Sequence, residues 1–109
     1  MPASIPLFPN AHFFEQCDQT TSVTWVFWIP GDQTVIPSAG IQLTPLEWYD
    51  KELSARGFQV RWITSQGTPF YLQFSGRGLA GTIGDVSVDP PAEAPGERFV
   101  DSLAITVNR

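Results

Sequence analysis

Few side chains in this sequence are able to do chemistry. His12, Cys17 and Asp18 bring an imidazole, a thiol and a carboxylate into one short stretch, the groups from which a nucleophile, its base and an orienting acid are built. Such a set works only when the thiol and imidazole are held within hydrogen-bond reach, and this stretch belongs to a segment carrying Pro2, Pro6 and Pro9 with no rigid element predicted beneath it. The expectation is a structural histidine and an inert thiol, because a thiol away from positive charge stays protonated. A single cysteine also makes no internal disulfide and offers no metal-ligand pair.

Asp85, Asp89, Glu93, Glu97 and Asp101 recur every four residues, which on a helix would be a carboxylate stripe. Pro90, Pro91 and Pro95 exclude that helix, and the run lacks the alternating carboxylates, central glycine and terminal glutamate of a calcium loop. It reads as a solvated acidic edge that guards a sheet rim from unwanted pairing. Gly76, Gly78 and Gly81 match G-x-G-x-x-G after a predicted strand, but a dinucleotide site needs those glycines to open a helix, and residues 82–88 alternate as a strand. A glycine-rich bend between strands is the expectation. No cofactor or metal is called for.

Four tryptophans remain. Exposed Trp beside Tyr stacks on sugar rings or anchors protein interfaces. Trp25 and Trp62 share the phase of apolar neighbours and are expected in the core. Trp28, Trp48 and Tyr71 lie off those faces, free for packing elsewhere in the chain or for a partner.

The elements that position these residues centre on 44–75. Thr44 with Glu47 three residues on is a capping-box spacing, and Pro45 sits at the first helical position, so a helix is predicted over about 45–56. Leu46, Tyr49 and Leu53 share one face, Glu47–Lys51 and Glu52–Arg56 are acid-before-base pairs four apart, and Gly57 ends the helix. Phe58, Val60 and Trp62, then Phe70, Leu72 and Phe74, alternate with polar residues, predicting a hairpin with one buried face.

Upstream, prolines forbid helix in the first nine residues, so 1–19 is read as an extended arm reaching up to roughly 60 Å. Ile5, Leu7, Phe8, Phe13 and Phe14 make it too apolar for a solvated tail. It lies either on its own domain, 20–109, or on a neighbouring subunit. Residues 22–29 are the plainest strand, with Val23, Trp25, Phe27 and Ile29 on one side and Val26 and Trp28 on the other. A strand apolar on both faces needs two covers: the helix over the second face, or a partner. Short strands are expected at 33–36 and 41–43, a proline-rich loop at 89–96, and a closing strand at 99–107. The sum is a single mainly β domain, a small antiparallel sandwich or roll with one helix.

With 109 residues the chain buries roughly two thirds of its unfolded surface. Charged residues are 16% against a usual share of about 25%, so the surface is unusually neutral and part of it is expected to face a partner. Six Lys/Arg against eleven acids, net −5, argue against DNA or RNA. No stretch reaches the ~20 apolar residues of a membrane span, and the start lacks the pattern of a secretory signal, so a soluble, cytoplasmic or virion protein is expected. The leading expectation is a non-enzymatic assembly subunit, a homo-oligomer or decorating protein, with partner contacts through Ile5, Leu7, Phe8, Phe13, Phe14, Trp28, Trp48 and Tyr71. Capsid-decorating and tail subunits of bacteriophages share this general make-up, an analogy of architecture. A carbohydrate- or ligand-binding module using the spare aromatics is the alternative, and a small acidic inhibitor the third.

Overall fold

The computed structural model describes residues 1–30, 34–65, 68–88 and 100–109. The proline-rich stretch 89–96 with Asp89, Glu93 and Glu97, together with Gln33 and Phe99, lies outside the described residues. The elements are β1 (His12–Asp18), β2 (Ser22–Pro30), β3 (Ile36–Ser38), β4 (Ile41–Leu43), α1 (Pro45–Ala55), β5 (Gln59–Ser65), β6 (Thr68–Gly76), β7 (Leu79–Val88) and β8 (Val100–Asn108). Six strands form one antiparallel sheet in the order β1-β2-β8-β7-β6-β5, and β3 pairs with β4 in a separate ribbon. Among the described residues the chain is thus mainly β with one helix, as its strand-rich pattern predicts. The last strand enters the middle of the sheet, between β2 and β7.

The helix forms for the predicted reasons. The Glu47 N–H donates to Thr44 Oγ1 at 3.4 Å, and the Thr44 N–H donates to Glu47 Oε1 at 3.0 Å. The Thr44 N–H, and after it the Thr44 side chain, hold the Glu47 carboxyl below its usual range. At the far end Gly57 takes φ +92°, and the Phe58 N–H returns to the Leu53 carbonyl at 3.0 Å. Leu46, Tyr49 and Leu53 are buried, and α1 packs on β4, β5, β6 and β7. The pairs Glu47–Lys51 and Glu52–Arg56 do not close into ion pairs: Lys51 Nζ donates to Ser38 Oγ instead. Tethering to the β3–β4 ribbon competes with a surface pair worth only a few tenths of a kcal/mol.

Paired residues in an antiparallel sheet share a face. Val60 opposes Phe74 and Trp62 opposes Leu72, so the hairpin has the predicted phase. Its register continues through Ile83, Ile105 and Trp25. The core on this face is Trp25, Phe27, Ile29, Leu72, Phe74, Ile83, Leu103, Ile105 and Val107. Trp62 corrects the expectation. It is on the core face yet 41% exposed, because β5 is the outermost strand. Its indole N–H donates to Asp50 Oδ2 at 2.7 Å, so it borders the helix rather than filling the space beneath it.

The glycine run is a turn. Arg77 and Gly78 have φ +53° and +78°, the two positive values of a type I′ hairpin between β6 and β7. A Cβ on Gly81 would come within 1.9 Å of the Thr106 carbonyl oxygen, so the third glycine serves close strand approach.

Within the extended segment 1–19, His12–Asp18 forms an edge strand paired with β2. Upstream of it, Ile5 and Phe8 are buried in the chain's own core. The Phe8 N–H donates to the Tyr49 hydroxyl at 3.0 Å, and burial raises the Tyr49 pKa, partly offset by that bond. Phe8 also packs edge-on against Trp48, at 5.4 Å. The segment covers its own domain, which takes Ile5 and Phe8 out of the set available to a partner.

Candidate functional site

Helix and N-terminal segment cover one face of the six-stranded sheet. Register assigns the residues of the other. Glu15 on β1 aligns with Val26, Ala104, Gly84, Tyr71 and Ile63, crossing to β5. The next row is Cys17, Thr24, Thr106, Thr82, Gln73 and Arg61. His12, Trp28 and Ser102 lie above these rows, and Ser22, Asn108, Ser75 and Gln59 below.

Each position follows from strand alternation: where β2 sends Trp25, Phe27 and Ile29 to the core, Thr24, Val26 and Trp28 must face away. Among the described residues no element packs over this second face. An antiparallel sheet tolerates one solvated face, and such a face normally carries charge. Here, among the described residues, the charged side chains stand on the outer strands, Glu15 on β1 and Arg61 on β5. The four inner strands present Ser, Thr, Gln, Asn, Ala, Gly, Val, Trp and Tyr. Both Glu15 and Arg61 are exposed, and among the described residues neither is in an ion pair.

The face is ordered within itself. The Thr24 and Thr106 hydroxyls share a hydrogen bond of 2.8 Å, and Thr82 opposes Thr106 from the other side. His12 stacks on Trp28 with ring centroids 4.3 Å apart and 18° between planes. At the β5–β7 end lies a groove of about 600 Å³ whose polar lining is Gln59, Arg61, Gln73, Ser75, Thr82 and Asn108, with Val60, Phe74, Ala80 and Gly81 completing it.

The predicted contact residues divide accordingly. Trp28 and Tyr71 are half-buried on the open face. Trp48 is engaged between Phe8 and Tyr49, edge-on to both. Phe13 is 59% exposed while edge-on to Phe27. Phe14 and Leu7 are also exposed, and Phe14 sits where the β1 register shifts between Phe13 and Glu15. Sequence reasoning missed Thr24, Thr82, Ala104, Thr106, Glu15 and Arg61. Their signal was present in the phase of each strand opposite its core residues, once β8 is known to lie between β2 and β7.

The candidate nucleophile set is not assembled. His12 and Cys17 oppose Trp28 and Thr24, four residues apart on β2, a separation of about 13 Å. Asp18 pairs with Arg109 at 3.1 Å. Among the described residues no group of three His, Cys, Asp or Glu side chains could hold a metal, and no helix is long and apolar enough to cross a membrane. Comparison with protein-family models, with curated proteins and with solved structures finds no match.

Proposed function

We propose that the chain is a non-enzymatic structural subunit that associates, with itself or within a larger assembly such as a virion, through the open face of its sheet. The observation carrying this reading is the neutral character of that face. Among the described residues four adjacent strands present no charge to the side away from the core, whereas charged side chains are what keep a solvated sheet surface from associating. Trp28 and Tyr71 on that face are residue types that anchor protein interfaces. A chain with 16% charged residues has left this surface without the usual protection.

The test is light scattering on the full chain and on Ala104→Glu, which places a carboxylate among Val26, Gly84 and Thr106 without entering the core. The expected result is a wild-type mass above 12.0 kDa that falls to the monomer in the variant, with unchanged circular dichroism. A wild-type oligomer indifferent to Ala104→Glu would move the contact elsewhere, and a monomer at every concentration would remove the self-associating form of the proposal.

The groove favours a second reading. Its amides, hydroxyls and guanidinium, with Tyr71 one row away, are groups that hydrogen-bond and stack against a sugar. Titration of intrinsic fluorescence with a glycan panel separates the two: saturable binding by a monomer, lost in Gln73→Ala, would favour the ligand-binding module.

A further inference from the structure

We infer that the occupant of the open face is a second copy of this chain, packed face to face so that two six-stranded sheets complete a sandwich about a two-fold axis running nearly along the strands. The inference rests on the assembly reading above and adds the partner and the geometry.

Size is the first argument. Six strands at about 4.8 Å spacing, with seven to ten residues each at about 3.3 Å per residue, give an open face of roughly 700 Å². A stable interface of standard size buries about 800 Å² on each partner. One copy is therefore close to sufficient cover for the other, without a long arm or an additional domain.

Charge placement is the second. An axis along the strands reverses the order of the strands across the interface, so β1 of one copy lies over β5 of the other. That brings the Glu15 edge onto the partner's Arg61 edge, and by symmetry it does so twice. The face's negative residue is on one outer strand and its positive residue on the other, and among the described residues the strands between present neither sign to this face. Glu15 and Arg61 are one row apart, an offset of about 7 Å along the strands. At the sheet's half-width of about 12 Å this offset corresponds to a mutual rotation of about 30°, the angle at which aligned sheets pack. An axis across the strands would instead place Glu15 against Glu15 and Arg61 against Arg61.

The experiment is sedimentation equilibrium on the full chain, on Glu15→Arg and on Glu15→Arg/Arg61→Glu, with Ala104→Glu alongside. The expected wild type is a dimer. Glu15→Arg sets like charges at both edges and should weaken the dimer by about tenfold, the scale of two exposed charge pairs. The double variant should regain wild-type affinity because the pair is restored with its signs exchanged. A dimer broken by Ala104→Glu but insensitive to the charge exchange would overturn this geometry and leave the assembly reading standing. So would a closed trimer or larger ring. A monomeric wild type would overturn this inference together with the self-associating form of the reading above.

Discussion

The two faces of the large sheet are built from the same strands, yet they have opposite fates. On the covered face, Leu72, Ile83, Leu103 and Ile105 are wholly buried under Tyr49, Leu53 and Phe8. On the open face, Val26, Trp28, Tyr71 and Ala104 remain half-exposed beside a row of threonines. One eleven-residue helix with a short N-terminal segment covers a single side of a six-stranded sheet, and the chain spends both on the same side. What separates the faces is therefore cover rather than strand propensity, since β2 is apolar in both phases. The chain's own helix and N-terminal segment thus finish one face of the sheet and leave the other to neutral side chains.

That contrast sets the scale of the substitutions. On the covered side Phe8→Ala should cost about 3–5 kcal/mol and lower the melting temperature without changing mass in sedimentation. A changed mass with an unchanged melting temperature would return Phe8 to an intersubunit role. Leu72→Ala should cost about 2–5 kcal/mol. Its cross-strand partner Trp62, partly solvated on the outer strand, should cost less when truncated, about 1–2 kcal/mol. Denaturant titration of the pair checks the order, and equal losses would mean that the edge is as well covered as the centre.

The covered face also gives a pH signature. Burial raises the Tyr49 pKa in the fold, so above the unfolded value near 10 the unfolded chain releases a proton that the folded chain keeps. Stability from this group is full below about pH 10 and is lost as pH rises further. Thermal unfolding from pH 8 to 11 should show that decline, and Tyr49→Phe should flatten it while lowering stability at pH 8 through the unpaired Phe8 N–H. A decline of the same slope in the variant would assign it to other groups. The smallest effect belongs to the open side: Thr106→Val removes the Thr24 hydroxyl's partner and should cost under about 1 kcal/mol in the monomer. A loss of core size there would show that the face is already covered within one chain.

Much of this architecture was legible in local patterns. Thr44, Pro45 and Glu47 announced the helix, and the alternation around Trp25, Trp62 and Leu72 gave the correct phases. Local pattern failed where a position's depth in the sheet decided the outcome. Trp62 has a core phase, but β5 has no outer neighbour. Residues 12–18 lack alternation, and their pairing with β2 is tertiary, so the strand was hidden inside an apparent arm. Ile5 and Phe8 were legible as needing cover, but which surface supplied it depended on Tyr49, forty-one residues from Phe8. The open face was the least legible, because its rows join residues from six strands whose order places the last strand third.

The most direct measurement of whether that face is covered uses Cys17, the chain's single thiol, which stands half-buried on it opposite Thr24. Its alkylation rate should be followed as protein concentration is raised through the range where the mass changes, with urea-unfolded chain as the control for intrinsic reactivity. Labelling of the folded chain is expected to slow as the dimer forms, and Ala104→Glu to restore the monomer rate at every concentration. A rate independent of concentration across a change in mass would contradict it, placing the contact on another surface and leaving this face open to solvent.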